Sequence, residues 1–366
     1  MKIAILGTKG IPNLYGGFEQ CAELLSKQLV DKGHEVIVYN PLDHPFTSSQ
    51  FNGVDIVRKW CPEKLMGPIA HIIYDFLCLC DARQRQPDIV LELGYGTSAP
   101  GLLVPGFQSL NIVINMDGLE WQRAKWGKAT RWLTRLLEGV AAHRATALVA
   151  DNEGIRRHLL RAHGVSATTI GYGAEVVNLT DSSTLGEFSV EETKYYLTVA
   201  RLEPENNVEM VIEGYLQSAA RLPLLIVGST NTKHGQRLKA RFESENILFL
   251  GPIFSKEKLD CLRTFSSIYF HGHSVGGTNP SLLEAMACGA FIAAHNNPFN
   301  RETLQSDAYC FSNAGDVTRI LEQYTDNSGE KDVIGEKNKK IISNHYQWQL
   351  IAEAYEALFI AVYRRA

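Results

Sequence analysis

The chain has 366 residues, 45% of them hydrophobic and 21% charged, and a formal net charge of −4 at pH 7. That is enough chain for two domains with separate cores, too apolar for a disordered protein, and of the wrong sign to seek nucleic acid. Its seven cysteines are scattered, at 21, 61, 78, 80, 261, 288 and 310, without zinc or redox spacing, so a reduced, cytoplasmic setting is expected.

Met1-Lys2 leads straight into Ile3-Ala4-Ile5-Leu6, which leaves no room for a signal sequence. The apolar run from Ile69 to Cys80 contains His71 and Asp75 and falls far short of a bilayer span. Neither secretion nor membrane crossing is expected. Ile3–Leu6 predicts a buried strand, followed by a loop from Gly7 to Gly17, a helix from Phe18 to Lys32 closed by Gly33, and a second strand at Glu35–Tyr39. Such a βαβ unit binds ligands at the C-terminal ends of its strands, which makes Gly16-Gly17 a candidate anion or hydroxyl site. The loop lacks Gly-x-Gly-x-x-Gly, which argues against a nicotinamide cofactor.

Further strands are predicted at Asp88–Leu93 and Asn111–Asn115. Met116-Asp117-Gly118-Leu119-Glu120-Trp121 then puts two carboxylates just beyond a strand end. Asp117 is a candidate to orient a hydroxyl group or take its proton, with helix N-capping as the alternative; Glu120 is a second candidate. Between Trp121 and Arg135 stand Arg123, Lys125, Lys128, Arg131 and Arg135 with Trp121, Trp126 and Trp132, and Lys128, Arg131 and Arg135 share one helical face. The segment either docks on anionic lipid or is a solvated helix whose tryptophans enter the core. Ala147–Ala150 reads as a strand, and Asp151-Asn152 opens a helix. The glycine- and serine-rich stretch from Ile170 to Glu192 marks a domain boundary.

The second half opens with a strand at Lys194–Ala200, then Arg201-Leu202-Glu203-Pro204-Glu205-Asn206-Asn207 and a helix from Val208. Arg201, at a strand end, can reach a diphosphate and offset charge on a departing group, a surface salt bridge being the alternative. Strands follow at Leu224–Gly228, Ile247–Gly251 and Ser267–Phe270. His271 and His273 flank Gly272 without a carboxylate or thiolate beside them, and no Asp-x-Asp occurs, so no metal is expected. Next comes the most informative stretch, from Gly276 to Gly289. Asn279 is a favoured N-cap, Pro280 suits the first helical position, and Gly289 is a stop signal. Strand, glycine loop and capped helix together offer backbone amides and a positive dipole end to an anion, with Glu284 one turn in to meet a hydroxyl. A strand at Phe291–Ala294, a polar loop from Asn296 to Glu302, a polar stretch from Thr325 to Lys340 and a helix from Gln347 to Arg364 complete the chain.

The Gly276–Gly289 string resembles the nucleotide-sugar segment of the retaining family 4 glycosyltransferases of GT-B architecture, in which two glutamates eight positions apart flank a glycine loop. Glu284 matches the second glutamate, a ribose contact; Gly276 stands where the first would be. Asn206 likewise takes the place of the lysine in the family's Arg-plus-Lys phosphate clamp, leaving Arg201, with Lys9 or Lys256 as possible substitutes. Gly-Gly-Thr-Asn-Pro-Ser is also found in bacterial rhamnosyltransferases that build capsule and cell-surface polysaccharides. The resemblance covers nearly the whole chain. It implies an α/β protein of two Rossmann-like domains facing each other across a cleft: an acceptor-side domain at 1–178, a nucleotide-sugar domain at 179–345, and a last helix, 346–366, crossing back. It further implies donor contacts from Gly16, Gly17, Arg201, Ile253, His273, Gly277, Thr278, Asn279, Pro280, Ser281 and Glu284, and acceptor contacts from Tyr15, Asp117 and Glu120. Asp117 and Arg201 would be catalytic. The implied reaction is metal-independent transfer of a hexose, foremost L-rhamnose from dTDP-rhamnose, to a lipid-linked saccharide at the cytoplasmic face of the inner membrane. A nucleotide-sugar epimerase of the same architecture, or a non-enzymatic nucleotide-sugar binder, are the alternatives.

Overall fold

The computed structural model describes residues 1–122, 127–305, 309–323 and 328–365. Arg123, Lys125, Trp126 and residues 325–327, all weighed above, lie outside the described residues. The chain divides into two compact units. Of the described residues, one holds 1–122 and 127–172 together with the last helix, Trp348–Tyr363; the other holds those from Gly173 to Gln347.

The first unit is built on an eight-stranded sheet: β1 (Lys2–Leu6), β2 (Glu35–Pro41), β3 (Gln50–Phe51), β4 (Val54–Lys59), β5 (Ile89–Leu93), β6 (Ile112–Asn115), β7 (Ala147–Ala150) and β8 (Thr168–Thr169). The order is β3-β4-β2-β1-β5-β6-β7-β8, parallel throughout except for the antiparallel β3–β4 edge. Ile3, Ile5, Val38, Val90, Leu91, Val113 and Ile114 are almost wholly buried, as strands covered on both faces require. Each such side chain contributes roughly 1.5–3 kcal/mol of apolar burial. The edge hairpin turns at Asn52 and Gly53, both at positive φ (51° and 79°), the conformation a two-residue hairpin loop demands. The helix after the first loop spans Gly17–Asp31, one residue earlier than predicted, and the apolar run near Ile69 belongs to an amphipathic helix, Ala70–Arg85. No helix among the described residues is long and apolar enough to cross a membrane.

The second unit carries six parallel strands: β9 (Tyr196–Val199), β10 (Leu224–Val227), β11 (Ile247–Gly251), β12 (Ile268–His271), β13 (Ile292–His295) and β14 (Cys310–Phe311). Their order is β11-β10-β9-β12-β13-β14. Tyr196, Ile212, Ile226, Ile268, Phe270, Phe291 and Phe311 form the heart of its core.

A stretch read as a polar loop and one read only as polar both carry helices. Pro298–Leu304 begins inside the predicted loop and runs two residues past it: Asn297 caps it, its side chain accepting a hydrogen bond from the Asn300 amide at 3.0 Å, and Pro298 occupies the first position. Ser328–His345 covers most of the predicted polar stretch. Its inward residues Ile334, Asn338, Ile341 and Ile342 follow helical spacing, but they are too few to stand out among the lysines, glutamates and asparagines.

Candidate active site

In an open parallel sheet, ligands bind outside the strand ends where the strand order reverses. In the second unit that reversal falls between β9 and β12, so the loops leaving these two strands, Arg201–Asn207 and Gly272–Asn279, are thrown together. Hydrogen bonds lock them: the Ser274 amide and hydroxyl both donate to Glu205 O (3.0 and 2.8 Å), and Asn207 Nδ2 donates to Gly272 O at 2.8 Å. Asn297 and Asn300 each donate a side-chain N–H to His273 O at 3.0 Å, bringing the segment after β13 to the same place. The result is a small pocket lined by His273, Ser274, Gly276, Gly277, Asn279 and Asn297.

Gly276 adopts φ +124°, and a Cβ built on it would meet nothing within 4 Å. It is glycine for the backbone, not for space. Thr278 is buried. Asn279 caps the Pro280–Ala287 helix as predicted, accepting from the Ser281 amide at 3.0 Å. The expected ring of exposed amides at this helix end is nevertheless used up: Pro280 has no N–H, and the amides of Leu282 and Leu283 donate to Asn279 O at 3.0 and 3.2 Å. What the helix offers an anion is its dipole, and amides can come only from the loop before it. The Ser281 hydroxyl is also engaged, 2.7 Å from the Tyr269 hydroxyl.

Glu284 projects from this helix with its side chain 19% exposed, and its Oε2 lies 2.6 Å from Nη2 of Arg263, which is 2% exposed. Asp260 Oδ1 lies 3.6 Å from the same guanidinium, and Lys256 bonds Asp260 in turn. Burial works against the charged guanidinium, but Glu284 and the neighbouring Tyr269, Cys288 and Asp260 together outweigh it and push the Arg263 pKa up. The Lys256–Phe265 helix therefore turns a charged, not an apolar, edge toward Glu284. Asp260 and Arg263, one turn apart among Leu259 and Leu262, are the only sequence signal for this arrangement, and it is weak.

Arg201 stands exposed at the end of β9 and makes no ion pair among the described residues. Asn206, in the lysine position of the clamp, is buried, and its Nδ2 donates to Arg201 O at 2.7 Å, closing the turn. Ile253 follows β11 in a partly buried loop. His273 stacks on the fully buried His271, centroids 4.4 Å apart. Burial and the neighbouring His273 push the His271 pKa well below its ordinary value, so it is neutral.

In the first unit the order reverses between β1 and β5, above which lies the Gly7–Gly17 loop. Gly7, at φ +81°, has no alternative: a Cβ there would sit 2.3 Å from Leu93 O. Gly16 caps the Gly17–Asp31 helix, whose first-turn Glu19 reaches back to accept from the Lys9 amide at 2.7 Å. Lys9 Nζ pairs with Glu63 at 2.8 Å and lies 4.1 Å from the centre of the exposed Tyr15 ring. Asp117 sits at φ +48° immediately after β6. Its amide donates to Asn115 Oδ1 at 3.0 Å, and its carboxylate accepts from the buried Tyr172 hydroxyl at 3.1 Å. Asn115 donates in turn to Tyr355 of the last helix at 2.9 Å, so Asp117 is held by a chain of buried polar groups. Glu120 opens a 3-10 turn, Glu120–Gln122.

Two α/β units, each with a ligand-competent reversal of strand order, define the class. Residues 16–173 match the family model of the glycosyl transferase 4-like domain, and residues 186–348 that of glycosyl transferases group 1. The chain is thus a glycosyl transferase 4-like domain followed by a group 1 glycosyltransferase domain, in the GT-B fold. An uncharacterised glycosyltransferase of Methanocaldococcus jannaschii is 25% identical over 173 residues, which span 44% of this chain and 43% of the relative. Among solved structures, sucrose-phosphate synthase from Thermosynechococcus elongatus superposes with a TM-score of 0.80 at 15% identity, covering 100% of both chains. Anabaena HepE, in complex with UDP and glucose, gives 0.76 at 15% identity over 99% of this chain and 100% of its own.

Proposed function

We propose that the protein is a retaining glycosyltransferase that moves a hexose, foremost L-rhamnose from dTDP-rhamnose, onto a hydroxyl of a lipid-linked saccharide. The observation that carries this reading is Glu284, held on a buried arginine on the helix that follows the glycine loop, with the Arg201 guanidinium, unpaired among the described residues, on the adjoining loop. Such a pair suits a nucleotide diphosphate sugar: Glu284 accepts from a ribose hydroxyl, while Arg201 and the Asn279 helix dipole face the diphosphate. The Anabaena neighbour, which binds UDP and glucose, supports a nucleotide-sugar donor. In the proposed front-face mechanism the departing diphosphate takes the acceptor proton while Arg201 offsets its growing charge, and Asp117 orients the acceptor. Transfer by this route calls on no metal. The Lys128–Arg144 helix leaves every side chain from Lys128 to Leu136 exposed except Thr134. Trp132, 66% exposed, and Leu133 stand beside Lys128 and Arg135, which suits docking on an anionic bilayer that carries the acceptor.

The test is thermal stabilisation by dTDP, UDP, GDP and their sugars without added metal, in the wild type, Arg201→Ala and Glu284→Ala. A shift with dTDP-rhamnose that both substitutions remove is expected. A larger shift with a UDP-sugar would replace the donor. No shift with any nucleotide would overturn the reading in favour of a binder or scaffold.

A further inference from the structure

Outside the proposed site, the first unit buries a carboxylate with an unusual escort. Glu138 lies on the inner face of the Lys128–Arg144 helix with its side chain 1% exposed. Its Oε1 is 2.8 Å from Nε2 of His158 and 2.8 Å from Nε2 of His163, both on the Glu153–His163 helix. Its Oε2 accepts from Trp121 Nε1 at 3.0 Å and from the Tyr95 hydroxyl at 3.4 Å. Two imidazole nitrogens and one carboxylate oxygen therefore converge, all within 4.8 Å of one another.

Glu138 is thus a carboxylate almost wholly removed from water. Among the described residues no lysine or arginine is paired with it. A divalent cation at this point would bring positive charge to a buried carboxylate.

We propose that Glu138, His158 and His163 bind one divalent transition-metal ion of the zinc type, which joins the Lys128–Arg144 helix to the Glu153–His163 helix. The donor set is one that zinc accepts, two imidazoles and a carboxylate with room for a water. His158 and His163, 20% and 14% exposed, leave an approach from solvent that Glu138 itself lacks. Ligand bonds of about 2.1 Å in tetrahedral geometry separate neighbouring donor atoms by roughly 3.4 Å, so each imidazole moves outward by only about half an ångström. Each Nε2 then offers its lone pair, its ring proton resides on Nδ1, and any proton displaced from the imidazoles leaves to solvent. Trp121 and Tyr95, on the far oxygen, fix which oxygen faces the ion. The ion is structural and takes no part in the proposed transfer chemistry.

The test is titration of chelator-stripped full-length protein with cobalt and zinc ions. Expected are one ion per chain, a visible cobalt spectrum of nitrogen and oxygen ligation without a thiolate charge-transfer band, and a zinc-dependent rise in melting temperature. His158→Gln and His163→Gln keep a hydrogen-bond donor to Glu138 while removing the ligand, and should each weaken binding by about tenfold or more. Trp121→Phe, which removes only the hydrogen bond to the far oxygen of Glu138, should weaken it less and covers the case in which a histidine variant fails to fold. Three outcomes overturn the proposal: no cobalt binding at about 0.1 mM, affinity unchanged in all three variants, or a thiolate band reporting cysteine ligation.

Discussion

Replacing Arg263 by methionine is the sharpest test of how the second unit holds its candidate donor site. The guanidinium is 2% exposed and neutralises Glu284 at 2.6 Å and Asp260 at 3.6 Å. Removing one partner of a buried ion pair typically costs about 3–5 kcal/mol, because the other is left charged and dry. The penalty here falls unequally. Asp260, 7% exposed, keeps Lys256, while Glu284, 19% exposed, loses the Arg263 guanidinium but has some access to water. A loss nearer about 3 kcal/mol follows, a substantial fraction of the roughly 5–15 kcal/mol that stabilises an ordinary domain. Urea unfolding of Arg263→Met, Glu284→Gln and the double variant measures it. The double variant should regain about 1–3 kcal/mol relative to the sum of the singles, since neutralising Glu284 removes the orphaned charge. Calorimetric titration of the donor should show a loss of about tenfold in Arg263→Met, partly recovered in Arg263→Lys. Additive stabilities, with Arg263→Met within about 0.5 kcal/mol of wild type, would refute the claim that this arginine holds Glu284.

Two further predictions concern burial and backbone. Asp75 and Glu92 are almost wholly buried in the first unit, and burial pushes both carboxyls up, Glu92 further because of the Asp75 charge. A carboxyl that binds its proton more tightly folded than unfolded contributes stability at acid pH, which is lost as pH rises from the ordinary carboxylate range through neutrality. Glu92→Gln should therefore gain on the wild type by more than about 1 kcal/mol between about pH 5 and pH 9; a difference that stays flat with pH in denaturant melts refutes the shift. Gly276→Ala tests the loop: with φ +124° and no atom near the added methyl, strain is the only cost, about 1–3 kcal/mol. Donor affinity should fall in calorimetry while the helix content of the far-ultraviolet spectrum stays unchanged, and wild-type affinity would show that the loop needs no such conformation.

Much of the architecture was legible because buried parallel strands announce themselves as short Ile/Val/Leu runs closed by glycine. The edge hairpin was equally announced, by Asn52-Gly53, yet passes unnoticed because β3 is only two residues long and its partner β4 alternates with charge. Asn279 and Pro280 identify a helix start by sequence, and the structure agrees. What a sequence cannot show is where amides go once the helix exists. Here the backbone oxygen of Asn279 takes two and its side chain a third, so the anion-binding capacity suggested by the motif passes to the preceding loop.

The residues that the sequence hides share one property: they are charged groups whose partners lie far along the chain. Arg263 meets Glu284 across 21 positions, and Glu138 meets His158 and His163 across 20 and 25. Periodicity assigns such residues to solvated faces, because a lone arginine or glutamate on a helix usually stays wet. Burying one requires its partner to arrive from another element, and that partner is specified by topology. In the second unit the partner arrives because the helix after the glycine loop packs beside the Lys256–Phe265 helix, each flanking β12 in sequence. The reversal of strand order at β9 and β12 then sets the Arg201 loop and the glycine loop together, so the same topology that hides Arg263 from the sequence reader places Glu284 on the helix that leaves the glycine loop.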